Sequence, residues 1–132
     1  MRHVFECAVR FDDLDSYGHV NNVTFAEYLQ EARVDFAHRY LADELEAHEG
    51  SVVAHQSLDY LRPVSFRTEP LQVLIWVTRV GTSSFDVAYE VRDDDAVYVR
   101  ATGALVAFDV TRHRPRPLTE AEQAALATFL EP

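Results

Sequence analysis

The chain has 132 residues, 48% of them hydrophobic and 26% charged, with a formal net charge of −10 at pH 7. That length and composition predict one globular domain over residues 1–132 and exclude a disordered chain. The negative charge excludes bulk electrostatic binding to nucleic acid or an anionic membrane, and no run approaches the roughly 18 apolar residues of a membrane helix.

From Val4 to Phe11 apolar residues alternate, with Phe5, Cys7, Val9 and Phe11 on one face, which predicts a strand with one buried side. Cys7 is the single cysteine, so an internal disulfide and a cysteine zinc site are both excluded. It reads as a small buried hydrophobe rather than a nucleophile. With no basic stretch and apolar run at the N-terminus, these features predict a cytoplasmic protein without a secretory signal. Asp12 to Asn22 is polar, contains Gly18 and two asparagines, and predicts a loop.

At Val23 the period changes. Phe25, Leu29, Ala32, Phe36 and Tyr40 follow helical spacing, and Ala26, Ala37 and Leu41 widen the stripe, predicting a helix of about five turns packed deep against a sheet. Asn21 or Asn22 supplies its N-cap. Strands are then predicted over Val52 to Leu61, ended by Pro63, along Leu71, Val73, Ile75 and Val77, along Phe85, Val87, Tyr89 and Val91, and over Val97 to Val110, with Gly103 marking a bend or bulge. Gly81-Thr82 and Asp93-Asp94-Asp95 supply turns, and connections this short imply antiparallel hairpins. Thr119 and Glu122 fit a capping box opening a short helix through about Leu130. The order predicts an α+β layer fold, one long helix against a five-stranded antiparallel sheet with a short C-terminal helix. Open sheet edges would be covered by another subunit, so a homo-oligomer is expected.

Three carboxylates, a histidine and a glycine in Asp12-Asp13-Leu14-Asp15-Ser16-Tyr17-Gly18-His19-Val20-Asn21-Asn22 lie directly before a helix N-terminus. The unpaired backbone amides and the dipole there would stabilise negative charge on an acyl oxygen, and a nearby carboxylate can attack a carbonyl or take a proton from water. The same pattern also fits a purely structural loop, in which the aspartates face solvent and offset the helix dipole. Nothing places Ser16 and His19 as nucleophile and base of a triad. Asp13, Asp15 and His19 could approach a metal, but such loops are common, and no metal is expected.

Asp13-x-Asp15-x-x-Gly18-His19-Val20-Asn21-Asn22, followed by Tyr28, Glu31-Ala32-Arg33 and Phe36, resembles the opening of the 4-hydroxybenzoyl-CoA thioesterase group of the hotdog superfamily. Leu58-Asp59-Tyr60-Leu61-Arg62-Pro63-Val64 is similar to that group's second strand, and Val80-Gly81-Thr82-Ser83-Ser84-Phe85 to a later turn. Asp109-Val110-Thr111 and Arg114-Pro115-Arg116-Pro117-Leu118 are similar to its closing segment.

The resemblance implies a hotdog fold, in which the sheet wraps the long helix and subunits join edge to edge as dimers or tetramers with sites at the interface. It implies an acyl-CoA thioesterase with no cofactor beyond the coenzyme A of its substrate. The catalytic carboxylate falls on Asp15, and amides between Gly18 and Val23 would polarise the thioester carbonyl. His19 and Asn22 complete this candidate catalytic set. In members acting on short acyl-CoA a histidine stands where this chain has Asn22. His19 is therefore expected to shape the pocket, and Asn22 to cap the helix.

Tyr17, Tyr28, Tyr60, Arg62, Ser83 and Ser84 are candidate substrate contacts, and Arg67 could meet the nucleotide. Another hotdog branch uses a helix glutamate, which makes Glu27 and Glu31 backups for Asp15. Arg112, His113, Arg114 and Arg116 form a basic cluster, open to phosphate binding or to a plain solvated linker. All twelve basic side chains are arginine, which codon usage explains more simply than phosphate recognition. An acyl-carrier-protein thioesterase, a non-catalytic acyl-CoA-binding module and a hydratase are the competing readings. The acidic surface disfavours an acidic carrier. The Asp–His spacings fit a hydratase poorly, and no DNA-binding domain accompanies a sensor.

Overall fold

A computed structural model describes residues 1–41 and 49–132. The elements in order are β1 (His3–Cys7), a single 3-10 turn (Phe11–Asp13), α1 (Asn22–Tyr40), β2 (Glu49–Tyr60), β3 (Leu71–Val80), β4 (Ser84–Arg92), β5 (Val97–Asp109), the two-residue β6 (Arg114–Pro115) and α2 (Glu120–Thr128). The five long strands form one antiparallel sheet in the order β1-β3-β4-β5-β2, with β6 added beside β5. This is the hotdog arrangement, one long helix held against an antiparallel sheet.

The alternation in sequence is what buries the sheet's inner face. Leu71, Val73, Ile75 and Val77 of β3, Phe85, Val87, Tyr89 and Val91 of β4, and Val99, Ala101, Leu105 and Ala107 of β5 all point into the core. Against them α1 lays Phe25, Tyr28, Leu29, Ala32 and Phe36. Each fully buried large side chain stabilises the fold by about 1.5–3 kcal/mol, so helix and sheet hold each other in place. At the start of α1 the Asn21 side chain accepts the Val23 amide at 2.9 Å, so Asn21 is the cap and Asn22 is the first helical residue.

Three expectations need correction. First, β1 ends at Cys7, and Phe11 is 78% exposed against Phe66 rather than buried. The Asp13 carboxylate accepts the Arg10 amide while the Asp13 amide bonds the Arg10 carbonyl, and this tight turn swings Phe11 outward. Second, Gly103 marks no bulge: it pairs in register with Gln56 and Val87, and the irregularities fall at Val53/His55, Val77/Arg79 and Val91/Arg92. Third, Arg116 is no part of an open basic patch. It is buried, pairs with Glu122 at 2.6 Å, and donates to the carbonyls of Gly50, Phe108 and Pro117. It thereby ties the capping box of α2 to β2 and β5.

The capping box forms as expected, with Thr119 and Glu122 bonding each other's backbone amides at 3.0 and 2.9 Å. The helix it opens ends at Thr128, and Phe129 packs on Phe36 and Tyr40 of α1. The chain then runs parallel beside β3 for a single bridge, with Val77 bonded to Phe129 and Glu131.

Candidate functional site

Asp15 opens a tight hairpin between Leu14 and Val20. The Asp15 amide donates to the His19 carbonyl at 2.8 Å, and the Gly18 amide to the Asp15 carbonyl at 3.0 Å. Gly18 has φ +79°, the left-handed conformation that closes such a three-residue loop and that only glycine adopts without strain. The Asp-x-x-Gly spacing is thus dictated by the turn. Within it, Asp15 Oδ1 accepts the amides of Tyr17 at 2.9 Å and His19 at 3.3 Å. Its second oxygen takes no hydrogen bond from the described residues.

The half-buried Asp15 lines a depression of about 280 Å³ together with His19, Val20, Asn22, Phe25, Tyr60, Leu61, Arg62 and Pro63. The Val20 amide bonds Val64, and His19 bridges Ser65, fixing the hairpin beside the segment that follows β2. The Tyr60 hydroxyl donates to the Asn22 carbonyl at 3.2 Å, joining the end of β2 to the start of α1. Asp15, His19, Asn22, Tyr60 and Arg62 are therefore brought together.

A census of the backbone amides narrows the donors to negative charge. Gly18 donates to Asp15, His19 to the Asp15 carboxylate, Val20 to Val64, Asn21 to Asp13, and Val23 to the Asn21 cap. The expected contributions of Gly18 and Val23 are thus corrected, because both amides are already used within the fold. Asn22, at the first helical position, keeps its amide open among the described residues, and it lies in the Asp15 depression. Helix geometry leaves this donor unpaired and adds the dipole's partial positive charge.

Asp13, two residues away, does a different job. It is 2% exposed, and it accepts the Tyr28 hydroxyl at 2.7 Å and the Arg10 guanidinium at 3.0 Å. Burial alone would raise its carboxyl, but the Tyr28 and Arg10 hydrogen bonds outweigh that and hold it below the ordinary carboxylate range. Tyr28, expected at the substrate, is buried as the partner of Asp13, and burial together with that carboxylate pushes its hydroxyl far up.

Glu27 and Glu31 line a separate depression with Asp13, Tyr28, Arg10 and Cys7, on the opposite flank of α1 from Asp15. Burial pushes the Cys7 thiol up to about 12, so it stays protonated. Arg67 is paired with Asp93 at 2.6 Å. Tyr17 is 84% exposed at the hairpin tip.

Ser83 and Ser84 stand at the far end of the sheet. Ser84 faces Val106 and Tyr60 faces Val99 on β5, so about 23 Å separates them at the rise of a strand. One chain does not bring these serines to Asp15. Among the described residues no group of three or more His, Cys, Asp or Glu side chains is placed to hold a metal ion, and no helix is long and apolar enough to cross a membrane.

Residues 9–126 match the model of the thioesterase-like superfamily. The chain belongs to that superfamily. It is 33% identical over 107 residues to the uncharacterized protein YsmA of Bacillus subtilis (strain 168), covering 80% of this chain and 70% of that one. Among solved structures, a thioesterase from Thermus thermophilus complexed with coenzyme A and Zn is 33% identical, with a TM-score of 0.82 over 96% of this chain and 92% of that one. The PA2801 protein of Pseudomonas aeruginosa is 34% identical, with a TM-score of 0.80 over 93% and 96%. The matched residues include both the Asp15 hairpin and the α1–sheet scaffold.

Proposed function

We propose that this protein is an acyl-CoA thioesterase, hydrolysing an acyl thioester to the free acid and coenzyme A. The observation that carries the reading is the pairing, in one depression, of the Asp15 carboxylate with the open Asn22 amide at the start of α1. A thioester carbonyl bound there would turn its oxygen toward the Asn22 N–H, and the negative charge of the tetrahedral intermediate would be held by that donor and the helix dipole. Asp15 acts as general base on a water molecule or as nucleophile on the carbonyl. In either case the C–S bond breaks, the thiolate leaves with little need of an acid, and water supplies the oxygen of the product carboxylate. Two backbone amides on one carboxylate oxygen orient Asp15 and leave its other oxygen for this work.

Coenzyme A bound to the Thermus thermophilus relative supports the same ligand here, and Arg62, without an ion-pair partner among the described residues, is suited to its phosphates. The Asp13-x-Asp15-x-x-Gly18-His19 motif supports placement in the 4-hydroxybenzoyl-CoA thioesterase group. A homodimer or tetramer completes the reading. β2 is a twelve-residue edge strand that leaves Val52, Val53 and Tyr60 exposed, with Leu61 beyond it, and unpaired edges of this length call for a partner. A second copy could also bring Ser83 and Ser84 to the site.

The test is free-thiol release from a panel of short, long and aromatic acyl-CoAs by wild type and Asp15→Asn. Turnover by the wild type, reduced about 10²–10⁴-fold in a folded Asp15→Asn variant, is the expected result. Near-normal turnover in the variant would remove Asp15 from the chemistry. No turnover by the wild type on any substrate would defeat the reading.

A further inference from the structure

Asn22 and Arg33 are eleven residues apart on α1, close to three full turns, so they share one flank of the helix. β2 runs beside this flank in the opposite sense. Tyr60 lies by Phe25 and Asn22, and Gln56 lies by Arg33. Further along, Ser51, Val53 and Leu105 join Arg33, Val34 and Ala37 around a second depression of about 430 Å³. This depression and the Asp15 depression lie along the same flank of α1, each bordered by β2 or the residues that follow it. Partly buried Leu58 of β2 supplies apolar surface between them, over the fully buried Leu29.

At the second depression the arginine is Arg33, with His38 also in the lining. Arg33 Nη1 donates to the Tyr89 hydroxyl at 3.1 Å and to Gln56 Oε1 at 3.4 Å. Both acceptors are neutral, and burial raises the Tyr89 hydroxyl so that it remains so. No carboxylate pairs with Arg33 among the described residues, whereas most other arginines have such a partner. A half-buried guanidinium beside apolar surface is costly until an anion reaches it.

We propose that the α1–β2 seam is the acyl channel of the thioesterase, and that Arg33 with Gln56 recognises a carboxylate at the far end of the acyl chain. The preferred substrates are then coenzyme A half-thioesters of medium-chain dicarboxylic acids. This rests on the thioesterase reading above and deepens it. From Asn22 to Arg33 the helix advances about 16 Å, shortened because a long side chain leans back toward the helix N-terminus. An extended acyl chain advances about 1.25 Å per carbon, given staggered bonds of about 1.5 Å. The fit is therefore roughly eight to twelve carbons.

The experiment compares kcat/KM for plain acyl-CoAs and for ω-carboxyacyl-CoAs of equal length, from eight to twelve carbons, in wild type, Arg33→Met and Gln56→Leu. The wild type should favour the carboxylate about ten- to a hundredfold, the worth of a charge-assisted hydrogen bond. Arg33→Met should reverse that ratio, chiefly through KM. Gln56→Leu, on an edge strand, should reduce it severalfold, and keeps the test open if Arg33→Met does not fold. A wild-type preference for plain chains, or one ratio shared by all three proteins, overturns the channel assignment while thiol release still upholds the thioesterase. Absence of thiol release from every substrate overturns both.

Discussion

The two flanks of α1 carry depressions of similar size, about 280 and 290 Å³, each with an aspartate from the same short loop. On the β1 flank, Asp13 is enclosed and spends its oxygens on Arg10 and on the Tyr28 hydroxyl. On the β2 flank, Asp15 is half-buried, has one oxygen held by backbone amides, and shares its surroundings with the open Asn22 amide. Two carboxylates separated by one residue thus have opposite uses. A carboxylate whose acceptors are all filled holds structure, and one oriented but part-filled is available for chemistry.

Asn22→Pro is the sharpest way to break this contrast. Proline suits the first helical position because its missing N–H is unpaired there anyway, and its fixed φ matches the helix. Asn21 is already extended, as a residue before proline prefers. The variant should fold, yet lose about 10²–10³-fold in kcat, the usual cost of one oxyanion donor. Asn22→Ala, which keeps the amide, should lose far less. Equal rates in the two variants would show that the Asn22 amide carries no catalytic load.

Asp13→Asn should act on the other side of the comparison, lowering stability by about 1–3 kcal/mol through the lost charge-assisted bonds while kcat at low temperature stays near normal. Denaturant melts paired with a thiol-release assay separate the two effects. The pH dependence has a fixed sign. The Asp13 carboxyl is held below its ordinary value by hydrogen bonds from Tyr28 and Arg10 that outweigh its burial, so its contribution is fully present above the unfolded pKa of about 3.9. It is lost as pH falls through the lower folded value. Melting temperatures measured from pH 6 to pH 2 should fall less steeply in Asp13→Asn than in wild type. Identical acid slopes would remove Asp13 from this role.

Gly18→Ala should cost about 1–2 kcal/mol, the penalty of a side chain in the left-handed region. A Cβ at Gly18 meets nothing within 4 Å, so the cost is backbone strain alone. Gly18→Asn, which tolerates that conformation, should recover part of it in the same melts. The smallest effect is expected at Cys7, which is buried with its thiol pushed up to about 12 chiefly by burial. An aromatic disulfide reagent at pH 8 should leave the folded protein unlabelled and react only after denaturation. Rapid labelling of the native protein would show that the β1 flank is more open than Asp13 and Tyr28 indicate.

Much of the molecule was legible from one-dimensional patterns, because those patterns are local physics. Period two in β3 and β4 chose their buried faces, period 3.6 set α1, the polar run with Gly18 announced a loop, and Thr119-x-x-Glu122 announced a cap whose partners lie within three residues. What stayed hidden depends on atoms distant in sequence. Asp13 and Asp15 look alike until α1 folds back and brings the Tyr28 hydroxyl, fifteen residues on, to one of them only. Arg116 looks like surface charge until Glu122 and the Gly50 carbonyl close around it. The amides of Gly18 and Val23 look available until the turn and the cap take them, leaving Asn22. Sequence by itself determined the two helices and the long strands, and the buried faces of α1, β3 and β4, since hydrophobic periodicity and turn chemistry act over a few residues. Only the tertiary structure decided which polar groups are satisfied and which remain open, because hydrogen bonding is pairwise and the partners arrive from separate elements.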